Sequence, residues 1–150
     1  VENSSVNFYG PGVTTKDAQA FYASKINPED RTPLSYGINA DLIKVNGQLQ
    51  EDVYKIGGKY GSALEQVVYN LNQAIPYAEN DKQAVALRKL IEFYTTGDLK
   101  AWDDFNIQWA RATEGDIDFI HGFVEVYNDP LGNRGSFEAI VEINPDFLRQ

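Results

Sequence analysis

The stretch Gly122-Phe123-Val124-Glu125-Val126-Tyr127-Asn128-Asp129-Pro130-Leu131-Gly132-Asn133-Arg134-Gly135-Ser136-Phe137-Glu138 decides the reading of this chain. Phe123, Val124, Val126 and Tyr127 form a β-rich run. Asp129-Pro130-Leu131-Gly132 follows as a turn with a mechanism: Pro130 pre-sets its φ and Gly132 accepts a left-handed angle. Phe137, Ile140, Val141 and Ile143 supply the return strand. Upstream, Ile117 and Phe119 extend the first strand, which Gly122 interrupts. The chain is therefore predicted to close with an antiparallel β pair.

Before this pair the periodicity is helical. Leu64, Val67, Val68, Leu71 and Ala74 recur at three and four residues, predicting a half-buried helix from about Tyr60 to Ala78, ended or kinked by Pro76. Asn80 or Asp81 caps a second helix, to about Tyr94, with Ala84, Ala86, Leu87, Leu90, Ile91 and Phe93 as its apolar set and Gly97 just past its end. A third, about Leu99 to Ala110, carries Trp102, Phe105 and Trp109 on one face, read as core. Nearer the N-terminus, Thr14 or Thr15 caps a helix to about Lys25, burying Ala18, Phe21 and Tyr22. Pro28, Pro33 and Gly37 keep residues 27–37 irregular. Asn46-Gly47 between Leu42, Ile43, Val45 and Leu49, Val53, Ile56 is a hairpin signal, because both turn residues tolerate positive φ. The fold class is α+β: an N-terminal hairpin, a helical middle and a C-terminal antiparallel β pair, read as a single domain over residues 1–150.

Composition narrows the function. The 150 residues are 43% hydrophobic, 13% aromatic and 23% charged, which suits a globular protein with a real core. A formal net charge of −9 argues against nucleic-acid backbone and against a polybasic membrane patch. No apolar run approaches the ~20 residues that span a bilayer. A soluble protein is expected, cytoplasmic or periplasmic alike. Zero cysteine removes disulfides, thiol nucleophiles and Cys-ligated zinc, and the single histidine, His121, cannot build a zinc site alone. No metal is expected to be bound by this chain. It opens on Val1 and contains no Met, predicting a processed or excised piece.

Short motifs add little by themselves. Gly57-Gly58-Lys59-Tyr60-Gly61-Ser62 opens a helix as a phosphate loop does, but its Lys precedes the last glycine, so a strand-to-helix turn is the reading. Asp116 and Asp118 alternate with Ile120 on one strand face. The pair matches what glycoside hydrolysis needs and equally the solvated face of an acidic protein. His121 beside Gly122 reads as a packed or hydrogen-bonded residue.

Pro33-Leu34-Ser35-Tyr36-Gly37, the stretch Gly57 to Ala78 and, above all, Gly122 to Glu138 resemble the dipeptidyl peptidase III family of zinc peptidases. The last stretch is similar to the family's Gly-Phe-x-Glu-x-Tyr-x-Asp-Pro-x-Gly-x-(Arg or Lys)-Gly segment at nearly every position. The likeness runs through most of the chain and is strongest to bacterial members. It implies part of a larger, two-lobed exopeptidase that releases dipeptides from the N-terminus of oligopeptides. The family's zinc motifs, His-Glu-x-x-Gly-His and Glu-Glu-x-Arg, do not occur here, so zinc would belong to the full-length parent, downstream of Gln150. The resemblance implies that this chain is inactive alone and supplies the substrate side of the cleft, its partners being an oligopeptide and the remainder of the parent chain. Tyr60 matches a family tyrosine that points at the reacting carbonyl. Gly115 through His121 corresponds to the strand edge on which the peptide is added, and Asp118 or Glu125 suits capture of the peptide's ammonium. His121 stands where some members carry Asn. Read without the family, the same features suit a stand-alone acidic module that binds peptides on its β edge.

Overall fold

The computed structural model describes residues 1–145. In chain order the elements are α1 (Thr15–Ala23), β1 (Ala40–Val45), β2 (Gln48–Val53), α2 (Gly61–Ala74) with a 3-10 turn at Ile75–Tyr77, α3 (Asp81–Thr96), α4 (Leu99–Arg111), β3 (Ile117–Glu125) and β4 (Ser136–Ile143). The strands form two separate two-stranded sheets, β1 with β2 and β3 with β4. This is the α+β arrangement expected from the sequence.

The chain divides into two compact units. One comprises Val1–Val53 with Gly122–Glu138; the other comprises Tyr54–His121 with the chain from Ala139 on. In the first, α1 starts at a reciprocal cap: Thr14 Oγ1 accepts the Asp17 N–H at 3.1 Å and the Asp17 carboxylate accepts the Thr14 N–H at 3.0 Å. The helix ends at Ala23, short of Lys25, and Phe21 is only half-buried. Val45 pairs with Gln48 across Asn46-Gly47, whose φ values of 51° and 78° are those a tight two-residue hairpin turn requires. Val13, Ala18, Tyr22 and Leu42 form the core of this unit, with Tyr9, Phe21, Leu49 and Leu131 packed against it.

In the second unit α3 and α4 pack together. Leu90, Phe93 and Tyr94 are fully buried, and Phe93 meets Trp102 at 5.0 Å between ring centroids. Asn80 is the N-cap of α3, accepting the Gln83 N–H, and Gly97 closes the helix in the left-handed region at φ 75°. Two sequence expectations are corrected here. The helix after the Gly-Gly turn stops at Ala74 and tightens into the 3-10 turn around Pro76; of its apolar set only Leu64 is buried. Trp109 leaves the core: it is half-buried and uses its indole N–H on Asp118, whereas Trp102 and Phe105 are buried as expected.

Candidate substrate-contact site

Tyr60 sits just ahead of α2 as its N-cap, with φ 61°. Besides Asn46 it is the only non-glycine at positive φ among the described residues. A bulky residue in that region costs on the order of 1–3 kcal/mol, and such strain concentrates at functional positions. The turn that holds it is tight: the Gly61 N–H donates to the Gly58 C=O at 3.0 Å and the Leu64 N–H to the Tyr60 C=O at 3.0 Å. The Tyr60 ring is 54% exposed, stands edge-on to the buried Tyr54 ring at 5.0 Å, and has Lys59 Nζ 5.3 Å from its centroid. The backbone thus turns the phenol outward instead of burying it.

Gly115 lies just before β3, and Asp118 and His121 lie on it, all three in the same unit. Gly115 has φ 125°, and a Cβ there would come within 2.5 Å of Glu79 Oε2. The Asp118 carboxylate accepts the Trp109 Nε1–H at 3.0 Å and the Phe119 N–H at 2.8 Å, leaving it fixed in place with lone pairs to spare. Asp116, Asp118, Glu142 and Asn144 line an open groove of about 590 Å³. Asn144 Nδ2 donates to Asp116 at 2.9 Å, so both members of the acidic pair serve as hydrogen-bond acceptors within the fold. His121 Nδ1 is 2.8 Å from the Tyr94 hydroxyl, and burial lowers the pKa of the imidazole. The same Tyr94 accepts the Ile56 N–H on its backbone C=O at 2.9 Å, so the segment leading to Tyr60 and the strand bearing His121 are both tied to α3. Glu125 lies in the other unit, near the end of β3.

Several residues that shape this site had no clear sequence signal. Asn80 was legible as a cap, but not its second bond, Nδ2 to the Glu114 C=O at 2.8 Å. No motif singles out Glu79 or Gln83, yet both bond the backbone at the start of β3. Zinc, which the resemblance implies for the parent, does not fit the groups present. Among the described residues no three His, Cys, Asp or Glu side chains gather into a possible metal site.

A model of peptidase family M49 matches residues 16–146. The chain belongs to that family. Dipeptidyl peptidase 3 of Dictyostelium discoideum is 35% identical over 97 residues, which are 63% of this chain and 14% of that protein. The human protein of the same name is 35% identical over 86 residues, 57% of this chain and 12% of its own length. Two solved structures share the fold. Dipeptidyl-peptidase III from Corallococcus sp. strain EGB superimposes with a TM-score of 0.68 at 22% identity, over 91% of this chain and 24% of that one. DPP III from Caldithrix abyssi gives 0.69 at 22% identity, over 91% and 25%. This M49 chain thus spans about an eighth of the curated relatives and about a quarter of the solved ones. The dipeptidyl peptidase III resemblance read from Gly122–Glu138 holds.

Proposed function

We propose that this M49 chain forms the substrate-contacting part of a zinc-dependent dipeptidyl-peptidase, presenting peptide-binding groups while polypeptide elsewhere holds the metal. The observation that carries this reading is β3: it has β4 on one side and no second strand on the other among the described residues, and it bears Gly115, Asp118 and His121 at or near its start. An oligopeptide added along such a strand is held mainly through its main chain, which admits many side-chain sequences. The Asp118 carboxylate, oriented by Trp109, suits the peptide's ammonium through a charge-assisted hydrogen bond. Glu125 is the second acid in that role. Tyr60, with its phenol turned outward, donates a hydrogen bond to the oxyanion that develops on the scissile carbonyl. The chain's own residues bind and orient; alone it turns nothing over.

The test is Tyr60→Phe in a whole dipeptidyl-peptidase that carries this segment. Losing one oxyanion donor lowers kcat by about 10²–10³ with KM changed far less. An unchanged kcat removes Tyr60 from catalysis.

The acidic balance favours a second reading, a stand-alone module that binds basic or extended peptides on its β edge. That reading requires heat of binding when the isolated chain is titrated with tri- to hexapeptides.

A further inference from the structure

Gly57-Gly58-Lys59-Tyr60-Gly61-Ser62 sets its lysine one residue ahead of the strained tyrosine, too early for a phosphate loop. The structure gives that lysine another task. A parallel bridge pairs Lys59 with Tyr54, and the chain between them turns back at Gly57, with φ 75°. Inside this loop the Gly58 N–H donates to the Lys55 C=O at 2.9 Å, and the Ile56 N–H ties the loop to the Tyr94 C=O at 2.9 Å. The backbone of Lys59 is thus fixed against a residue that is only 2% exposed.

The side chain completes the arrangement. Lys59 is half-buried, and its Nζ lies 5.7 Å from the Tyr54 ring centroid and 5.3 Å from that of Tyr60. The two ring centroids are 5.0 Å apart at 64°. Each of the three side chains therefore meets the other two, through one edge-to-face aromatic pair and two cation–π contacts. Tyr54 is anchored in the interior, whereas Tyr60 is more than half exposed. Order is passed from the buried ring, directly and through the ammonium, to the outward phenol. The left-handed backbone angle aims the Tyr60 Cα–Cβ bond but leaves the side-chain torsions open, and the ring contacts fix those. A donor already in position needs no reorganisation when charge develops on its acceptor.

We propose that Lys59 is a positioning residue, its ammonium held against the Tyr54 and Tyr60 rings so that the Tyr60 phenol stands ready for the scissile carbonyl. The proposal rests on the reading of Tyr60 as the oxyanion donor, and Lys59 acts through Tyr60 rather than on a reacting atom.

A double-mutant cycle on turnover, in a whole dipeptidyl-peptidase that carries this segment, tests it. Lys59→Met keeps the apolar stem and removes the charge; kcat is expected to fall roughly tenfold with KM and Tm little changed. Lys59→Arg, a cation that also stacks on rings, recovers most of the rate, and Lys59→Gln does not. In a Tyr60→Phe background Lys59→Met lowers kcat no further, because no hydroxyl remains to be positioned. Three results overturn the role of Lys59 while leaving that of Tyr60 in place: an unchanged kcat in Lys59→Met and Lys59→Gln, a loss that Lys59→Arg does not restore, or an equal loss in both backgrounds. Full kcat in Tyr60→Phe alone contradicts the reading of Tyr60 itself, and the role of Lys59 with it.

Discussion

Arg134 is the most deeply buried cation described, with no solvent exposure at its side chain. Its guanidinium lies 4.5 Å from the Tyr9 ring and 4.5 Å from the Tyr22 ring, donates to the Tyr9 hydroxyl at 3.1 Å and to the Tyr22 hydroxyl, and stands 3.8 Å from Asp129. Asp129 in turn accepts the Tyr9 hydroxyl at 2.8 Å and the backbone N–H groups of Leu131, Asn133 and Arg134. The Tyr22 hydroxyl donates to the Glu51 carboxylate at 2.9 Å, and burial pushes both tyrosine pKa values up, so the phenols stay neutral donors. Asp129 and Arg134, which bracket the Asp-Pro-Leu-Gly-Asn-Arg segment that carries the family likeness, therefore form a buried structural lock. The segment's turn was legible, because Pro130 and Gly132 have local consequences. Its partner was not, because Tyr9 and Asp129 are 120 residues apart in sequence. Removing one member strands the other in the interior. Arg134→Met is expected to lower the unfolding free energy by about 3–5 kcal/mol in urea titrations, and Arg134→Lys to recover only part, since a single ammonium cannot serve both tyrosines and Asp129 in the same geometry. A loss below the range of a surface substitution would remove Arg134 from that role.

Among the elements, those with local start and stop chemistry were readable. Thr14 with Asp17, Asn80 and Gly97 set helix ends through bonds to neighbouring residues, and Asn46-Gly47 fixed the β1–β2 turn. The start of α2 was not readable to the residue, because nothing in Lys59-Tyr60-Gly61 marks Tyr60, rather than a glycine, for the left-handed angle. The joint between α3 and β3 was equally hidden: Tyr94, which periodicity placed only at the end of a helix, holds His121 at 2.8 Å. That joint makes a pH prediction. Burial lowers the His121 pKa below its ordinary 6.5, so between the two values the unfolded chain binds the proton and the folded chain does not. Stability is therefore complete above about pH 6.5 and falls as the pH drops below it. Glu2 and Asp17, held near 2 by hydrogen bonds from Thr15 and by Lys44, lose their contributions only at lower pH, below the ordinary carboxylate values of 4.5 and 3.8. Thermal unfolding followed from pH 8 to 5 is expected to show a decline in Tm that His121→Asn lessens; equal slopes for the two proteins would separate His121 from it.

At the scale of the whole molecule, composition set limits that structure then gave places to. One imidazole and no thiol argue against a self-contained zinc centre, and the Nδ1 of that imidazole meets the Tyr94 hydroxyl. The peptide-facing groups proposed for the site lie mostly in the second unit, whereas the motif that reveals the family locks the first. The central claim is that this chain contributes substrate contacts and not the metal. It is tested most directly by incubating the purified 150-residue chain with zinc and a dipeptidyl-arylamide, measuring both released arylamine and retained zinc after gel filtration. The account predicts no turnover and no stoichiometric zinc; turnover by a chain that retains one zinc per molecule would contradict it.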